Sequence, residues 1–569
     1  MRFRVLACDY DGTLAHDGKL SEDTLAALKR CASSGRKLLL VTGRELDDLL
    51  AICPGLDVFD YVVAENGALL YQPSTRAEKL LTTAPSEELV AWLKARGVGP
   101  ISVGRSIIAT WEPFETVVIE GIRELGLELQ VIFNKGAVMI LPSGVNKRSG
   151  LMAALEALGL SSHNCVGVGD AENDHAFLSA CDCGVAVSNA LPALKEAADF
   201  VTSRDHGAGV EELIERLLAD DLELLERTLV RHHVLLGTRD DGTEVKIPPH
   251  GCVVLVAGGS GSGKSTAVTG LLERLTEQQY QLCIVDPEGD YEGFESAIVA
   301  GSPSEAPQPE QVSQILGRAL SNCVVTLTGV ALDDRPATFV GLLTRVQELR
   351  AQLGRPHWLV VDEAHHVLGS EFEPAPLALP QNLGSLLFIT VDPEHVHRAL
   401  LEKVDLAIGV GSEALDKLSA LAQAVGDAPP RAERLPEQPG QVLIWRRGEA
   451  FAARVTMAAG KSKRQRHRKK YAQGELGPER SFYFRGPEAK LNLRAQNLMA
   501  FNSIAEGIDD ETWLHHLRLG HYSEWVREAI KDDALALEVN AVERDRALSA
   551  AASRERIRAL VEDRYTAPA

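Results

Sequence analysis

The sequence predicts an α/β protein of several domains, on three observations. Over residues 1–220 short apolar runs alternate with helical patterns, and polar motifs follow the runs. Residues 246–455 alternate in the same way and carry a glycine-rich loop between a strand and a helix. From residue 476 onwards apolar residues recur at intervals of three and four, which is typical of helices. Strands that alternate with helices indicate parallel sheets covered on both faces, with the chemistry at the carboxyl ends of the strands.

The bulk composition is that of an ordinary globular protein. The chain of 569 residues is too long for one hydrophobic core. A formal net charge of -21 argues against a protein that coats nucleic acid or a membrane with its whole surface, although a local basic patch is compatible with that charge. The nine cysteines have no Cys-x-x-Cys spacing, so neither a disulfide framework nor a cysteine zinc site is favoured. We find no leader-like segment and no apolar stretch of about 18 residues, and we expect a cytoplasmic protein without a membrane partner.

Four polar motifs in the first 220 residues lie at the ends of predicted strands or at the start of a predicted helix. Asp9 and Asp11 stand directly behind the apolar run VLAC. Two like charges at the mouth of a buried strand are unfavourable unless a cation or a reacting group shares the site. The other motifs are Thr42-Gly43-Arg44 after the second strand, Lys147 before a helix, and the run from Gly169 to Asp174 after a later strand.

In this order and spacing the four motifs resemble those of the haloacid dehalogenase-like hydrolases. The resemblance implies that Asp9 is the nucleophile that takes a phosphoryl group, and that Asp11 protonates the leaving oxygen and later deprotonates the attacking water. It implies a Mg²⁺ site formed by Asp9, the main-chain carbonyl of Asp11, Asp170 and Asp174. It also implies that the phosphate is bound by Thr42, Gly43, Lys147 and Asn173.

An insert of about residues 71–142 separates the second motif from Lys147. It contains the alternating runs ISVGRSIIATW and LQVIFNKGAVMIL around a helix, and AENGA precedes it at residues 64–68. The insert resembles the C2 type of cap, as in Cof-type and sucrose-phosphate-phosphatase-like enzymes. A cap excludes water and contacts the leaving group. Because this insert is short for that type, we expect a small phosphorylated substrate such as a sugar phosphate, or one reached by an open groove.

Residues 221–245 are predicted as a charged connecting helix and a hairpin with its turn at Asp240–Gly242. The phosphate loop follows in residues 246–455, where Gly258-x-x-x-x-Gly263-Lys264-Ser265 lies between the strand CVVLVA and a helix. Backbone amides of such a loop bind phosphates, the lysine reaches the β and γ oxygens, and the hydroxyl binds Mg²⁺. The predicted ATP-binding residues here are Gly258, Gly261, Gly263, Lys264, Ser265 and Thr266.

The segment HWLVVDEAHH supplies two further carboxylates to this predicted ATP site. Asp362 is expected to bind the water shell of Mg²⁺, and Glu363 to polarise the hydrolytic water. Thr390, at the end of the run SLLFIT, is expected to sense the γ-phosphate. An additional strand, NCVVTLTG, and a helix from Pro336 to Leu353 fit between the two motifs.

These features resemble the RecA-like motor ATPases. The hairpin before the phosphate loop and the run DPEGDY at residues 286–291 resemble the HerA/FtsK group of hexameric translocases. That resemblance implies a homo-oligomer, a hexamer, with DNA or RNA as a partner. DNA-channel loops and an arginine finger are not recognisable in the sequence, so ATP binding is better supported than translocation.

The last part of the chain is predicted as a basic linker, residues 456–475, and a helical module, residues 476–569. The linker contains KSKRQRHRKK, with seven Lys or Arg in ten residues, which indicates either a solvated connection or a contact with phosphate backbones. In the module His515, His516 and His521 are conceivable metal ligands, but partly exposed helix histidines are the more common case. We expect a docking or regulatory module.

Three functions remain open from the sequence. The first is a metabolite phosphatase governed by its ATPase domain. The second is a nucleic-acid motor with an accessory phosphatase for nucleotides or strand ends. The third is an end-healing kinase-phosphatase, which Glu363 disfavours because a kinase excludes the hydrolytic water.

Overall fold

The structure is a computed structural model, and it confirms the α/β class. The residues it describes are 1–134, 136–259, 262–294, 296–369, 384–432, 440–461, 471–472, 474, 476–478, 480–530 and 532–565. Two large sheets, a smaller sheet inserted into the first unit, and a C-terminal group of helices make up the described chain.

The first sheet has eight strands and holds the first four motifs at one edge. Its strands, from one side to the other, are Phe200–Val201, Cys183–Ala186, Cys165–Gly169, Val5–Cys8, Lys37–Val41, Tyr61–Ala64, Leu69–Gln72 and Ala77–Leu80. The first six are parallel and the last two form an antiparallel edge. The helices that accompany this sheet are Glu22–Ser33, Leu46–Ile52, Lys147–Leu158, His175–Ala180, Pro192–Ala197 and His206–Asp220. The sheet brings the carboxyl ends of its parallel strands to one edge, as expected for this class.

The cap is a four-stranded antiparallel sheet with two helices. Its strands are Leu129–Asn134, Ala137–Pro142, Ile108–Trp111 and Ser102–Val103, and its helices are Glu87–Ala95 and Glu115–Glu124. The predicted cap began at about residue 71, but the hairpin of residues 69–80 pairs with the first sheet. That hairpin extends the first sheet because its apolar strand Leu69–Gln72 is buried against it.

The connecting segment differs from the prediction. Instead of one charged helix, two short 3₁₀ helices cover Glu223–Thr228 and Val230–His232. Asp221 and Leu222 have φ angles of 55° and 63°, in the left-handed region, and therefore end the preceding helix. The hairpin forms as predicted, with strands Val234–Thr238 and Glu244–Ile247.

The second sheet has eleven strands and carries the phosphate loop near its centre. Its strands in spatial order are Glu244–Ile247, Val234–Thr238, Ala453–Met457, Gln441–Arg446, Leu406–Val410, Val253–Gly258, Ser385–Thr390, Trp358–Val361, Leu282–Asp286, Asn322–Thr326 and Ala297–Ala300. The helices are Lys264–Glu277, Pro309–Leu316, Arg335–Leu353, Arg398–Leu401 and Ala414–Val425. The strand that separates the phosphate-loop strand from Trp358–Val361 is Ser385–Thr390, whereas Asn322–Thr326, the additional strand noted in the sequence, lies further out beside Leu282–Asp286.

The C-terminal module packs helices around an aromatic core. Its helices are Leu498–Gly507, Asp510–Leu519, His521–Trp525, Asp533–Arg544 and Ala550–Tyr565, with a π-helical turn at Val526–Ile530. A hairpin of Phe482–Phe484 and Leu493–Ala495, absent from the prediction, adds two buried phenylalanines to this core. Within the described ranges, none of the helices has the length and apolar content that a bilayer crossing requires. Most of the basic run, residues 462–470, lies outside the described residues.

Candidate active sites

Three carboxylates from two neighbouring strand ends meet at the edge of the first sheet. Asp9 follows Val5–Cys8, and Asp170 and Asp174 follow the adjacent parallel strand Cys165–Gly169. One oxygen from each lies within 4.8 Å of the others, and all three side chains are buried. Asp174 is oriented by its own turn, because its Oδ2 accepts hydrogen bonds from the amides of Asp170 and Ala171 at 2.8 and 2.9 Å.

Lys147 lies between two of these carboxylates. Its Nζ is 2.5 Å from Asp9 Oδ1 and 2.6 Å from Asp174 Oδ1, and the side chain is 1% exposed. Burial alone would lower the pKa of Lys147, but the charges of Asp174 and Asp9 raise it above its usual range. The ammonium is therefore charged at neutral pH, where it offsets part of the negative charge.

The position of Lys147 depends on a close approach of its helix to the strand-end turn at residues 65–67. Gly67 has a φ of 105°, and a Cβ there would lie 1.9 Å from the carbonyl oxygen of Asn146. Asn146 caps the helix by accepting a hydrogen bond from the amide of Ser149 at 3.1 Å. A side chain at residue 67 would push the helix and its first residue, Lys147, away from the carboxylates.

The donor set fits Mg²⁺. Burial, and after it the charge of Asp174, raises the pKa of Asp9 well above its usual range, because one lysine does not neutralise three buried carboxylates. Carboxylate oxygens are the hard ligands that Mg²⁺ prefers, and a dication would balance the remaining charge. Thr13 Oγ1 donates to Asp170 Oδ1 at 3.1 Å and thereby orients a third ligand.

Asp11 is paired with a residue that the sequence analysis did not assign to the site. Arg44 donates from Nε to Asp11 Oδ2 at 2.6 Å and from Nη2 to Asp11 Oδ1 at 2.7 Å. It also pairs with Asp48 in the first turn of the helix that follows. In the sequence, Arg44 is part of the motif Thr42-Gly43-Arg44, but only Thr42 and Gly43 were predicted to bind the phosphate.

The predicted phosphate-binding groups surround the same strand ends. Thr42 is buried and accepts a hydrogen bond from the amide of Arg44 at 3.1 Å. A Cβ built on Gly43 would lie 3.6 Å from both Asn173 Nδ2 and Met139 Sδ, so a cap residue reaches the same place. Asn173 Nδ2 donates to Asn66 Oδ1 at 3.1 Å. Among the described residues, neither Asn66 Nδ2 nor Asn173 Oδ1 has a hydrogen-bond partner, although both atoms are buried.

Glu65 ties the cap to the first sheet beside this site. It is fully buried, with a φ of 51°, and its carboxylate accepts hydrogen bonds from three successive cap amides. The donors are the amides of Arg105 at 2.8 Å, Ser106 at 2.8 Å and Ile107 at 3.1 Å. In the sequence, the AENGA segment indicated only the type of cap, and the contacts of Glu65 and Asn66 were not predicted.

The phosphate loop of the second sheet has the predicted local structure. The strand Val253–Gly258 enters it, and the helix Lys264–Glu277 begins at Lys264, preceded by Gly263 with a φ of 97°. Lys264 Nζ donates to the carbonyls of Gly258 and Gly259 at 2.7 and 2.9 Å. Ser265 and Thr266 form the first turn of the helix, and Gly261 lies outside the described residues.

The other predicted ATP-site residues lie at adjacent strand ends. Thr390 is paired in register with Ala257 of the phosphate-loop strand, and Asp362 directly follows the next strand, Trp358–Val361. Glu363 has a φ of 40°. His365, which the sequence analysis did not assign, connects these groups, since its Nδ1 lies 3.2 Å from Thr390 Oγ1 and 3.6 Å from Glu363 Oε2. Burial, and then the charge of His366, lowers the pKa of His365 to about 4.

Comparison with known proteins finds relatives of both domains. A family model described as haloacid dehalogenase-like hydrolase matches residues 6–113 and 123–214, and one described as AAA domain matches residues 250–426. The phosphoglycolate phosphatase of Methanothermobacter thermautotrophicus is 32% identical over 225 residues, which are 38% of this chain and 99% of that protein. That of Pyrobaculum aerophilum is 30% identical over 226 residues, 38% of this chain and 97% of the relative. A solved haloacid dehalogenase-like hydrolase from Bacteroides thetaiotaomicron aligns with 20% identity and a TM-score of 0.34, over 38% of this chain and 99% of that one.

The comparisons confirm the two families predicted from the motifs, at different levels of detail. The first unit matches its relatives over nearly their whole length, and those relatives are phosphatases. The second unit matches an AAA domain, while its resemblance to the HerA/FtsK group stays a prediction. The chain therefore belongs to the haloacid dehalogenase-like hydrolases, and its residues 250–426 match the model of an AAA domain.

Proposed function

We propose that the first 220 residues form a Mg²⁺-dependent phosphomonoesterase that acts on a small phosphorylated metabolite through an aspartyl-phosphate on Asp9. The observation that carries this proposal is the buried group of Asp9, Asp170 and Asp174 with Lys147 between two of its members. The excess negative charge of this group favours a bound cation, and a buried group of this kind is unfavourable for packing alone.

The proposed reaction has two steps. In the first, an oxygen of Asp9 forms a bond to phosphorus while the ester P–O bond breaks, and Asp11 gives its proton to the leaving oxygen. In the second, water attacks the same phosphorus, Asp11 takes the water's proton, and inorganic phosphate leaves Asp9. For either proton transfer one oxygen of Asp11 has to leave the paired hydrogen bonds to Arg44.

The remaining residues would bind the phosphate and the metal. Mg²⁺ held by Asp9, Asp170, the carbonyl of Asp11 and, directly or through water, Asp174 would neutralise phosphate charge so that a carboxylate can approach. Lys147, Thr42 and Asn173 would donate hydrogen bonds to the phosphate oxygens. Asn66 Nδ2, a buried donor beside Asn173, is a further candidate for that role.

For the substrate we propose a small phosphorylated carboxylic acid or sugar, with phosphoglycolate as the first compound to test. The relatives at 30–32% identity are named phosphoglycolate phosphatases, which supports a small phosphorylated metabolite over a polynucleotide end. The cap lies close to the site through Met139, which reduces the space beside the phosphate.

We further propose that the ATPase domain binds and hydrolyses ATP with Mg²⁺ and that this activity is coupled to the phosphatase. Two helices support the coupling, because each begins at a lysine expected to bind phosphate and has its C-cap residue at the contact between the domains. The helix that starts at Lys147 ends at Gly159, whose carbonyl accepts a hydrogen bond from Arg355 of the ATPase domain. The helix that starts at Lys264 ends at Gln278, whose carbonyl is 2.6 Å from His163 Nε2 of the phosphatase domain.

A second candidate function, a nucleic-acid motor, is favoured by the ATPase sheet. The strand ending at Thr390 lies between the phosphate-loop strand and the strand that precedes Asp362 and Glu363. This strand order is compatible with an ATPase that activates a hydrolytic water. The hexamer, the DNA or RNA partner and the cytoplasmic location stay predictions.

The test measures the dephosphorylated product, since ATP hydrolysis also releases phosphate. Phosphoglycolate, sugar phosphates and 5′-nucleotides are supplied with Mg²⁺ or EDTA, each with and without ATP, using full-length protein. We expect Mg²⁺-dependent turnover of a small metabolite that changes in rate when ATP is present. Turnover only of nucleotides or polynucleotide ends, together with ATP hydrolysis stimulated by single- or double-stranded DNA over a Glu363→Gln blank, would replace this proposal by the motor.

A further inference from the structure

A second group of metal-binding side chains lies where the phosphatase meets the segment that enters the ATPase domain. We define the interdomain cluster as His163, Asp182, His232, His250 and His357. The first two belong to the phosphatase domain, the third to the connecting segment, and the last two to the ATPase domain. Among the described residues, His163, Asp182 and His232 form one of two groups whose ligand atoms all lie within 4.8 Å of one another. The other group is the Asp9 site.

Backbone carbonyls determine which ring nitrogens of two histidines carry hydrogen. His163 Nε2 lies 2.6 Å from the carbonyl oxygen of Gln278, and His232 Nε2 lies 3.2 Å from that of Cys181. A carbonyl oxygen only accepts hydrogen bonds, so both Nε2 atoms are donors and the neutral rings keep a lone pair on Nδ1. Metal-binding histidines commonly donate their other N–H to a carbonyl in this way.

In its neutral form the His163 ring faces Asp182 with that lone pair. His163 Nδ1 is 3.2 Å from Asp182 Oδ1, and both side chains are buried. A ring lone pair and a carboxylate oxygen repel each other unless a proton or a metal cation lies between them.

Asp182 is bound from its other side. Its Oδ2 lies 2.5 Å from Arg2 Nη2 and 3.3 Å from His250 Nε2. These contacts occupy Oδ2 and leave Oδ1, the oxygen nearest His163, for a ligand.

We propose that His163, Asp182 and His232 bind a divalent transition metal of the zinc type. Two imidazole nitrogens and one carboxylate suit Zn²⁺, whereas Mg²⁺ prefers oxygen ligands alone, so this site differs in kind from the Asp9 site. Solvent would supply a fourth ligand.

The metal would fix the contact between the two domains. His163 stacks on Tyr280 of the ATPase domain with ring centroids 3.7 Å apart, and it binds the carbonyl that ends the Lys264 helix. A metal on Nδ1 would therefore restrain the end of the nucleotide-binding helix against the phosphatase domain. By this reasoning the metal has a structural role. Loss of the site would weaken metal binding and lower the stability of the protein before it changed the rate of phosphoester or ATP hydrolysis.

The experiment uses full-length protein, freed of any affinity tag, stripped with a chelator and kept in excess Mg²⁺ so that the Asp9 site is occupied. Zn²⁺ affinity is measured by competition with a chromophoric chelator, and Co²⁺ is added to report coordination geometry by its visible absorption. The variants are His163→Gln and His232→Gln. The matched control is His515→Gln, a half-buried histidine of the C-terminal module. Circular dichroism confirms that each variant is folded.

We expect about one Zn²⁺ per chain, an intense tetrahedral Co²⁺ spectrum and a rise in melting temperature with Zn²⁺. His163→Gln and His232→Gln should each weaken binding by roughly a hundredfold or more, and His515→Gln should not. Should His163→Gln fail to fold, the less buried His232 still provides the test. Absence of Zn²⁺ binding, or equal affinity in His232→Gln and wild type, would overturn the proposal and identify the pair His163–Asp182 as an imidazolium–carboxylate ion pair.

Discussion

Arg44 binds both oxygens of Asp11, the residue expected to serve as acid and base, through paired hydrogen bonds of 2.6 and 2.7 Å. This geometry stabilises the carboxylate and sets its direction. Arg44 is therefore a positioning residue, and its effect should appear in the rate of turnover.

Replacing Arg44 by Ala should lower kcat for the best substrate by roughly ten- to a hundredfold, because Asp11 would lose its orientation. Arg44→Lys should fall between this variant and wild type, since lysine keeps the charge without the paired geometry. Steady-state kinetics of the dephosphorylated product measures both.

The control for Arg44 is Asp48→Asn. Asp48 also pairs with Arg44, but its side chain is 52% exposed. This variant should retain nearly full activity. An Arg44→Ala enzyme that is faster than wild type would instead show that the pair inhibits Asp11.

Asp9→Asn should lose phosphatase activity by about three orders of magnitude or more, because an amide cannot form the aspartyl-phosphate. ATP hydrolysis by the same protein should stay close to wild type. The matched control is Asp17→Asn, an exposed residue with a φ of 50°, which asparagine adopts easily. Retention of Mg²⁺-dependent phosphatase activity in Asp9→Asn would remove Asp9 from the role of nucleophile.

Lys264→Ala and Glu363→Gln should both stop ATP hydrolysis, but for different reasons. Lys264 lies in the phosphate loop and should be required for nucleotide binding, whereas Glu363 should act only on the attacking water. Titration with a fluorescent ATP analogue should therefore show binding by Glu363→Gln and weak or absent binding by Lys264→Ala. If both variants lose binding, the role assigned to Glu363 is wrong.

The C-terminal module should lose stability as pH falls from about 6.5 towards 4. Burial, then the charges of His521 and His515, lowers the pKa of His516 from 6.5 to about 4, and its Nε2 accepts hydrogen bonds from the amides of Arg485 and Gly486 at 3.0 and 3.3 Å. The unfolded chain takes up a proton at higher pH than the folded one, so stability is complete above about 6.5 and declines below it.

Hydrogen exchange of residues 480–530 at pH 7.5 and pH 4.8 would measure that loss of stability. Protection should fall at the lower pH in wild type and change less in His516→Gln, which lacks the buried imidazole that takes up the proton. Equal loss of protection in both proteins would show that other groups control the acid response.

Local patterns were sufficient for the motifs and for most elements around them. The helices Glu22–Ser33 and Arg335–Leu353, the hairpin at residues 234–247 and the phosphate loop follow from spacing and turn residues, which act over a few positions. The prediction of a helix at residues 221–233 is wrong because Asp221 and Leu222 adopt left-handed φ angles. The residue types at these two positions do not indicate that conformation.

The sequence by itself determined the two families, the carboxylates at the strand ends and the phosphate loop. Parallel strands carry their polar ends to one edge, so a motif behind a strand already has an approximate place in the sheet. Only the tertiary structure decided that Arg44 binds Asp11, that Glu65 accepts three amides of the cap, and that His163 and His232 converge on Asp182. Those contacts join residues that are 19 to 50 or more positions apart in the chain. They depend on how separate elements pack against each other, which a local sequence pattern does not indicate.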